Sequence, residues 1–518
     1  MQTTLLEQFY EENKANNTWR WVSDLISKHK QKDYSLMRKY VDGDHDILKQ
    51  PEEKGKPNNR IVVNFARKII DFGTAYIASN PIRYTANVEE DGMDEFTEKL
   101  QAVLVDNDEE SLSYELIEDG SIDGEVFEYY YFDEDGQICM TEFKADECIA
   151  VYDTTVKAKL IAVIRYYYLT DMRRNEKSLV VEVYDENDIT YLRQEGAALV
   201  LDTSREVNPV AHQVTVLAKD QDGKLQQKPV VPWTHYVNRR RKHQQYRDDG
   251  LIEGMGDLAD LKNLMDAINK AVTGKVNVQE YFKNPKVLFE DLDLDELLLY
   301  DEEGNLITDT ERKKQYLAKM WATSQILIGG KAVPITWDLQ DTHEENTINR
   351  LIESLLDQSG TPHLRPDQVG SAPSGIALKI IFYHADIKAG LKMRQYGKGF
   401  RNRIRILTGM LNAKYKKQWD YQDIDIRFSK NMPVNLVEMV DIVTKLVGQV
   451  SHEERLALLP FIDDPKASRD KVLAEQEDES KRRMALLDPM AVDEGDDPPH
   501  GDGVENDDGG NDPPGDAA

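Results

Sequence analysis

Residues 360–417 read GTPHLRPDQVGSAPSGIALKIIFYHADIKAGLKMRQYGKGFRNRIRILTGMLNAKYKK. Three Pro and three Gly punctuate the first sixteen residues, so the segment opens as a loop. Ser374 is the candidate N-cap, its hydroxyl placed to accept from an orphan amide of a first helical turn. The 42 residues from Ile376 to Lys417 contain no Pro and predict a helix of roughly 60 Å. Met393, Tyr396, Phe400, Ile404, Leu407 and Leu411 recur at steps of three and four and form an apolar stripe. Arg394, Lys398, Arg401 and Arg405 form a basic stripe on another face. Gly390, Gly397, Gly399 and Gly409 each weaken a helix by about 1 kcal/mol relative to Ala. Their clustering predicts a bend or break between 390 and 400. A loop feeding a long, two-faced helix is mechanical in character and offers no catalytic constellation.

Composition narrows the rest. The chain has 518 residues, 40% of them hydrophobic, and a formal net charge of −30. That length suggests roughly three or four domain-sized units. No run reaches the ~18 apolar residues of a membrane span, and MQTTLLEQFYEENK lacks the pattern of a signal peptide. No membrane partner is expected. Cys139 and Cys148 fit no metal spacing and read as ordinary strand residues in a reducing compartment. Eleven acids fall between Asp488 and Asp516, with no Lys or Arg after Arg483, so 481–518 is expected to be a disordered acidic tail. Taking those eleven from −30 leaves −19. Solubility accounts for that excess; so does a surface that avoids gripping nucleic acid, since phosphate binding needs surplus Lys and Arg.

In chain order, residues 1–50 predict one or two helices, with Tyr34, Met37, Tyr40 and Val41 at helical spacing, ending in a turn at 41–48. Ile61, Phe65, Ile69, Phe72 and Tyr76 predict a helix stopped by Pro81. Residues 94–119 predict another. From 122 to about 237 the pattern changes to antiparallel strands, with Asp135-Gly136 as a hairpin turn. Arg239, Arg240, Arg241 and Lys242 form a basic run that reads as a solvated segment. Residues 251–277 and 341–360 predict amphipathic helices. Between them, 278–338 predicts a small insert with a hairpin about Gly329-Gly330. A strand is expected within 423–433, then helices to about 480, one opened by a Ser451/Glu454 capping box. The fold class is α+β, mainly helical.

Several motifs are excluded on chemistry. Asp291, Asp293, Asp295 and Glu302 hold calcium-loop positions, but Glu296 stands where the sharp turn needs Gly. His343-Glu344-Glu345 has Thr347 in place of the second zinc-binding His, and Ile328–Ala332 lacks the first Gly and the Ser/Thr of a phosphate loop. Gly254 and Gly256 follow no strand. No cofactor, metal site or enzymatic activity is expected, and ATP hydrolysis would belong to a partner.

Four stretches together resemble the portal proteins of long-tailed double-stranded DNA bacteriophages, as found in phages of Gram-positive hosts. Tyr40–Leu48 followed by KPNNRIVVNFARKIIDF resembles that family's YxGxHxIL…PNNRIVxNFxxxIVD signature. PVVPWTHYVN leading into DLADLKNLMDAINK is the second, Ser374–Lys379 (SGIALK) the third, and IRFSKNMPVNLVEMV with VSHEERLALLPFIDDP the fourth. They stand in the family's order across roughly 35–475. One departure is the turn at Ser79-Asn80 before Pro81, where family members carry Gly; Asn tolerates a left-handed turn better than most residues.

The resemblance implies a ring of about a dozen subunits at one capsid vertex of the virion, assembled in the host cytoplasm. Double-stranded DNA would be packaged through it by the terminase large subunit and later ejected. It implies a wing (1–238), a first stem helix (239–277), a clip (278–338), a second stem helix (339–360), a tunnel loop (361–375), a long kinked helix (376–417) and a crown (418–480). The clip would meet the motor and then head–tail connector proteins, while major capsid and scaffolding proteins would surround the ring. His363, Arg365, Asp367 and Gln368 would touch DNA from the loop. The basic stripe would either pair with acids of a neighbouring subunit or face DNA as a weak ring. A channel must not hold DNA tightly, and two unit charges about 10 Å apart in water interact by only about 0.4 kcal/mol before screening. The competing reading is a helical oligomeric scaffold or adaptor without a channel.

Overall fold

Apolar residues at helical spacing divide the N-terminal region into three helices: α1 (Leu5–Ala15), α2 (Arg20–His29) and α3 (Ser35–Asp42). This exceeds the one or two expected. The computed structural model describes residues 5–52, 56–87, 92–153, 158–171, 176–196, 198–219, 224–239, 253–283, 287–290, 298–300, 303–322, 331–334, 341–363, 379–431, 436–459, 462 and 465–487. The chain divides into two compact units, Met1–Pro433 and Val434–Ala518.

In the first unit, α3 ends at Gly43, whose φ of 90° only Gly adopts freely. The chain then runs extended to α4 (Phe65–Ala78), so Ile61 lies outside the helix predicted for it. Its backbone is occupied elsewhere. The amides of Asn59, Ile61 and Val63 donate to Asn277 Oδ1 (2.9 Å), Thr273 Oγ1 (3.0 Å) and Asn269 Oδ1 (2.9 Å). Those three acceptors lie four apart on α7 (Lys262–Lys283). Two extended residues advance about 6.6 Å and four helical residues about 6 Å, so the two periods match. Buried His45 completes the knot: Nε2 donates to Tyr40 O (2.9 Å) and Nδ1 accepts from Asn269 (2.9 Å). Burial keeps the ring neutral by lowering its pKa.

After β1 (Arg83–Ala86), the single helix expected at 94–119 is two, α5 (Met93–Asp106) and α6 (Glu109–Asp123). Asn107 turns its side chain onto β3 (Ile138–Lys144), receiving Met140 N (2.7 Å) and donating to Ile138 O (2.9 Å). Asp108 then adopts φ 47°. The strands are antiparallel, as predicted. β12 (Trp233–Val237), β2 (Glu125–Phe132) and β3 form one sheet, with Gly136 in the hairpin turn. β4 (Cys148–Tyr152), β5 (Leu160–Asp171), β6 (Glu176–Tyr184), β7 (Asp188–Glu195) and β8 (Ala198–Leu201) form a second, and β9 (Val210–Ala211) adds to β7. Trp233, Phe127, Val163 and Tyr184 share the core that joins these two sheets. Helices α1 and α2 cover the larger sheet through Tyr10, Val22 and Ile26, together with Trp19 just before α2. Both cysteines are free strand residues.

A buried chain of hydrogen bonds also ties α2 and α3 to both sheets. Tyr166 donates to His29 Nδ1 (2.7 Å), His29 Nε2 donates to Tyr34 (3.3 Å), and Tyr34 donates to Glu125 (2.6 Å). His235 donates to the other oxygen of Glu125 at 3.0 Å. Burial first, then Lys32, pull His29 from its ordinary 6.5 down to about 4.

β10 (Thr215–Lys219) and β11 (Leu225–Pro229) form a two-stranded ribbon. Arg239 pairs with Asp260 at 2.8 Å, while Arg240, Arg241 and Lys242 lie outside the described residues. The helix expected from 251 begins only at Lys262. Before it, Gly254 and Gly256 cross the backbone of 121–124 so closely that a Cβ on either would overlap the Gly124 or Ile122 carbonyl. In the insert, β13 (Val287–Glu290) pairs with β14 (Lys331–Pro334), and α8 (Thr310–Ala322) lies between them in sequence. Residues 323–330, with Gly329-Gly330, and Asp291, Asp293, Asp295 and Glu302 lie outside the described residues. Helix α9 (Asp341–Ser359) packs on α7.

The long helix is α10 (Tyr383–Tyr415). Its core-facing residues are the predicted stripe, from half-buried Met393 through Tyr396, Phe400, Ile404 and Leu407 to Leu411. No break falls between 390 and 400; the interruption is at Phe382, after helical residues 379–381, and Ser374 lies outside the described residues. Two of the four glycines serve close approach. A Cβ at Gly399 would overlap the Tyr236 ring, and one at Gly409 the Thr215 carbonyl. β15 (Ile424–Arg427) then pairs with β1.

The second unit holds α11 (Leu436–Lys445), α12 (His452–Leu456) and α13 (Pro465–Leu487). Ser451 and Glu454 make the predicted capping box. Residues 488–518 lie outside the described residues.

Two predictions follow from this packing. Gly409→Ala should lower stability by about 2 kcal/mol through overpacking, although a helix gains about 1 kcal/mol from the change. Gly390→Ala, with nothing within 4 Å, should raise stability instead; urea unfolding separates the two. His29 resists protonation in the fold but not when unfolded, so its contribution is complete above 6.5 and declines as pH falls towards about 4. Stability should drop by about 2 kcal/mol from pH 7 to pH 5, and His29→Gln should flatten that slope.

Candidate functional site

The site is built around α10, whose three faces do different things. One face carries Lys388, Lys392, Gly399 and Arg403, at steps of four, seven and four, and it is turned inward. Arg403 is 0% exposed. Its Nη1 donates to Glu109 Oε1 (2.6 Å), Ser113 Oγ (2.7 Å) and Tyr84 Oη (3.3 Å), and its Nε donates to Glu128 Oε2 (3.1 Å). Nη2 stands 2.8 Å from Glu128 Oε1 as an ion pair. Tyr130 (2.5 Å) and Tyr236 (2.6 Å) also donate to Glu128. Burial raises the pKa of both phenols, keeping them as donors. Ser113 (2.5 Å) and Tyr84 (2.7 Å) donate to Glu109, so one cation and four hydroxyl donors serve two buried carboxylates that would otherwise be costly to desolvate, with Glu128 Oε1 and Arg403 Nη2 meeting only as an ion pair.

Farther towards the N-terminus of α10, Lys392 reaches Asp257 Oδ2 (2.9 Å) and Ser121 Oγ. Lys388 lies 3.7 Å from Asp257 Oδ1 and donates to Ser359 O (2.9 Å). Burial alone would raise the Asp257 pKa, but Lys392 and Lys388 beside it hold it well below the usual carboxylate range. The last carbonyls of α9 carry partial negative charge, so Lys388 also suits that helix end. Together these contacts fix the end of α9 and the start of α10 at one point, on either side of the predicted loop.

Of the predicted loop residues, His363 is half-buried, and Arg365, Asp367 and Gln368 lie outside the described residues. The basic stripe is present on the second face. Arg394, Lys398 and Arg401 are exposed and Arg405 is half-buried. Lys398 contacts Gln395 (3.3 Å) and Arg405 contacts Asn402 (3.5 Å). Among the described residues, none of the four makes an ion pair. The third face is the apolar stripe.

The sequence reading missed the buried charges. A signal was available: Arg403 stands inside the apolar stripe, three after Phe400 and four before Leu407, where a cation persists only if carboxylates face it. Its partners are remote in sequence, so periodicity could not name them. Among the described residues, no group of His, Cys, Asp and Glu is placed to hold a metal, and no helix is long and apolar enough to cross a membrane.

Arg403→Met should destabilise the protein by about 3–5 kcal/mol, because it strands two buried carboxylates. Adding Glu109→Gln and Glu128→Gln should recover most of that loss. Urea midpoints of the purified variants check both.

The family model and the two related sequences agree with one another. The family model described as "Phage portal protein, SPP1 Gp6-like" matches residues 23–482. The portal protein of Bacillus phage SPP1 is 21% identical over 484 residues, covering 90% of this chain and 88% of that one. The portal protein of Clostridium phage phiCD119 is 22% identical over 435 residues, covering 81% and 85%. Among solved structures, the neck of a native GTA particle computed with C12 symmetry has a TM-score of 0.36 at 11% identity, covering 77% of this chain and 89% of that one.

Proposed function

Because the chain belongs to the phage portal protein family of the SPP1 Gp6-like type, we propose that it forms a closed ring of about a dozen copies around a DNA channel at one capsid vertex. The family match over residues 23–482 carries this reading, since it takes in both sheets, α7, α9 and α10. Double-stranded DNA enters through the ring, driven by the terminase large subunit, and leaves by the same path at ejection. The protein itself is structural and supplies no chemistry.

The parts follow the chain. Residues 1–238 form the wing. Helices α7 and α9 form the stem, with 278–338 between them as the clip that meets the motor and then the connector proteins. Their ion pair between Lys275 and Glu345 (2.8 Å) holds the two helices together near the insert. Residues 361–375 form the tunnel loop, with His363, Arg365, Asp367 and Gln368 touching phosphates in passing. Residues 418–480 form the crown. A formal charge of −30 suits a wall that centres DNA without gripping it. The fixed point at Lys388 and Asp257 gives the tunnel loop a rigid base.

Native mass and top-view particle images test this reading. A mass near a dozen chains of 59.4 kDa with an open centre is expected. A large assembly with no central hole would favour the scaffold alternative. Removing 361–375 from such a ring should impair DNA packaging while leaving the ring mass unchanged.

A further inference from the structure

The basic stripe is only half of an exposed face. Ile380, Tyr383, Ile387 and Leu391 precede it at steps of three, four and four, and they are 72%, 60%, 49% and 59% exposed. Arg394 follows at a further step of three. One helical face thus changes from apolar to basic over roughly 38 Å. An apolar stripe of this length on a helix calls for a packing partner, and the cations beside it make no ion pair among the described residues.

A surface of the same chain has the opposite charge. An open cavity of about 390 Å³ lies between the end of α4 and α6, lined in part by Asn80, Glu110, Ser111, Tyr114 and Glu115. Glu110 and Glu115 are exposed, and neither makes an ion pair among the described residues. Farther along α6, Asp119 is half-buried and pairs with Lys144 at 3.3 Å. Glu110 and Glu115 are thus the carboxylates on this side of α6 that no cation of the chain offsets among the described residues. The cavity has room and acceptors for a guanidinium, which recognises carboxylates bidentately.

We propose that the exposed face of α10 docks on a second copy of this chain, its basic half placing Arg394 and Arg401 against the Glu110 and Glu115 cavity of the neighbour. The apolar half becomes buried in the same contact. Head-to-tail pairing of two different faces is the kind of contact that closes rings. The inference rests on the ring reading above and names the surfaces that would make it.

Charge exchange in the full chain tests it, with ring mass read by light scattering and folding by thermal midpoint. Glu110→Lys with Glu115→Lys should shift the ring to subunits, as should Arg394→Glu with Arg401→Glu. Combining all four should restore the ring. If the reversals impair folding, the four Gln replacements should each raise the dissociation concentration at least about tenfold for each 1.4 kcal/mol lost, more so at low salt. Unchanged ring mass in either reversed pair overturns the proposal. So does a folded fourfold variant that stays dissociated. An intact Arg394→Glu, Arg401→Glu ring that no longer packages DNA overturns it in favour of DNA contact. A wild-type chain that forms no ring overturns the ring reading itself.

Discussion

Arg403 is the point on which the first unit depends. Its guanidinium joins α10 to α6 through Glu109 and Ser113, to the smaller sheet through Glu128, and to β1 through Tyr84. Four segments remote in sequence are held in one register by one side chain. Hydrophobic packing alone would tolerate a helix sliding along a sheet, because the apolar effect is non-directional. A buried guanidinium between two carboxylates does not tolerate it, since displacement leaves charges without partners in a medium that cannot solvate them. The close approach at Gly399 and Gly409 strengthens the same constraint, for a glycine lets α10 settle against Tyr236 and the Thr215 backbone without an intervening side chain.

The inward-facing charge of Arg403 is spent within the subunit, whereas the outer face of α10 is exposed. Lys388 and Lys392 are also spent inside the subunit, on Asp257 and the end of α9. The helix therefore carries two populations of cations. Those facing inward hold the subunit together and anchor both sides of the loop. Those facing outward make no ion pair among the described residues and stand open to solvent.

Periodicity made most of the architecture legible. The strands, the Asp135-Gly136 turn, the capping box at Ser451 and the apolar stripe of α10 all come from local rules with local causes. The misplaced features share one origin, which is tertiary use of the backbone. Ile61 has helical spacing, yet its amide is taken by Thr273. Residues 253–261 look like a helix start, yet Gly254 and Gly256 are needed for a backbone crossing. The glycines of α10 suggested a bend because propensity is local, whereas Gly399 and Gly409 are there for contact with Tyr236 and Thr215, about 160 or more positions away. The family signature around Gly43, His45 and Asn59 was visible as a pattern, and its physical reason is the ladder of Asn269, Thr273 and Asn277. Arg403 was legible as an anomaly, but nothing local identified Glu109 and Glu128 as its partners.

A side-chain-resolution map of the assembled oligomer tests the central claim most directly. Such a map should show Arg403 sealed inside each subunit, residues 361–375 on the channel wall, and the face from Ile380 to Arg401 covered by the neighbouring copy. A ring in which that face lines the open channel, or an assembly with no channel at all, would contradict it.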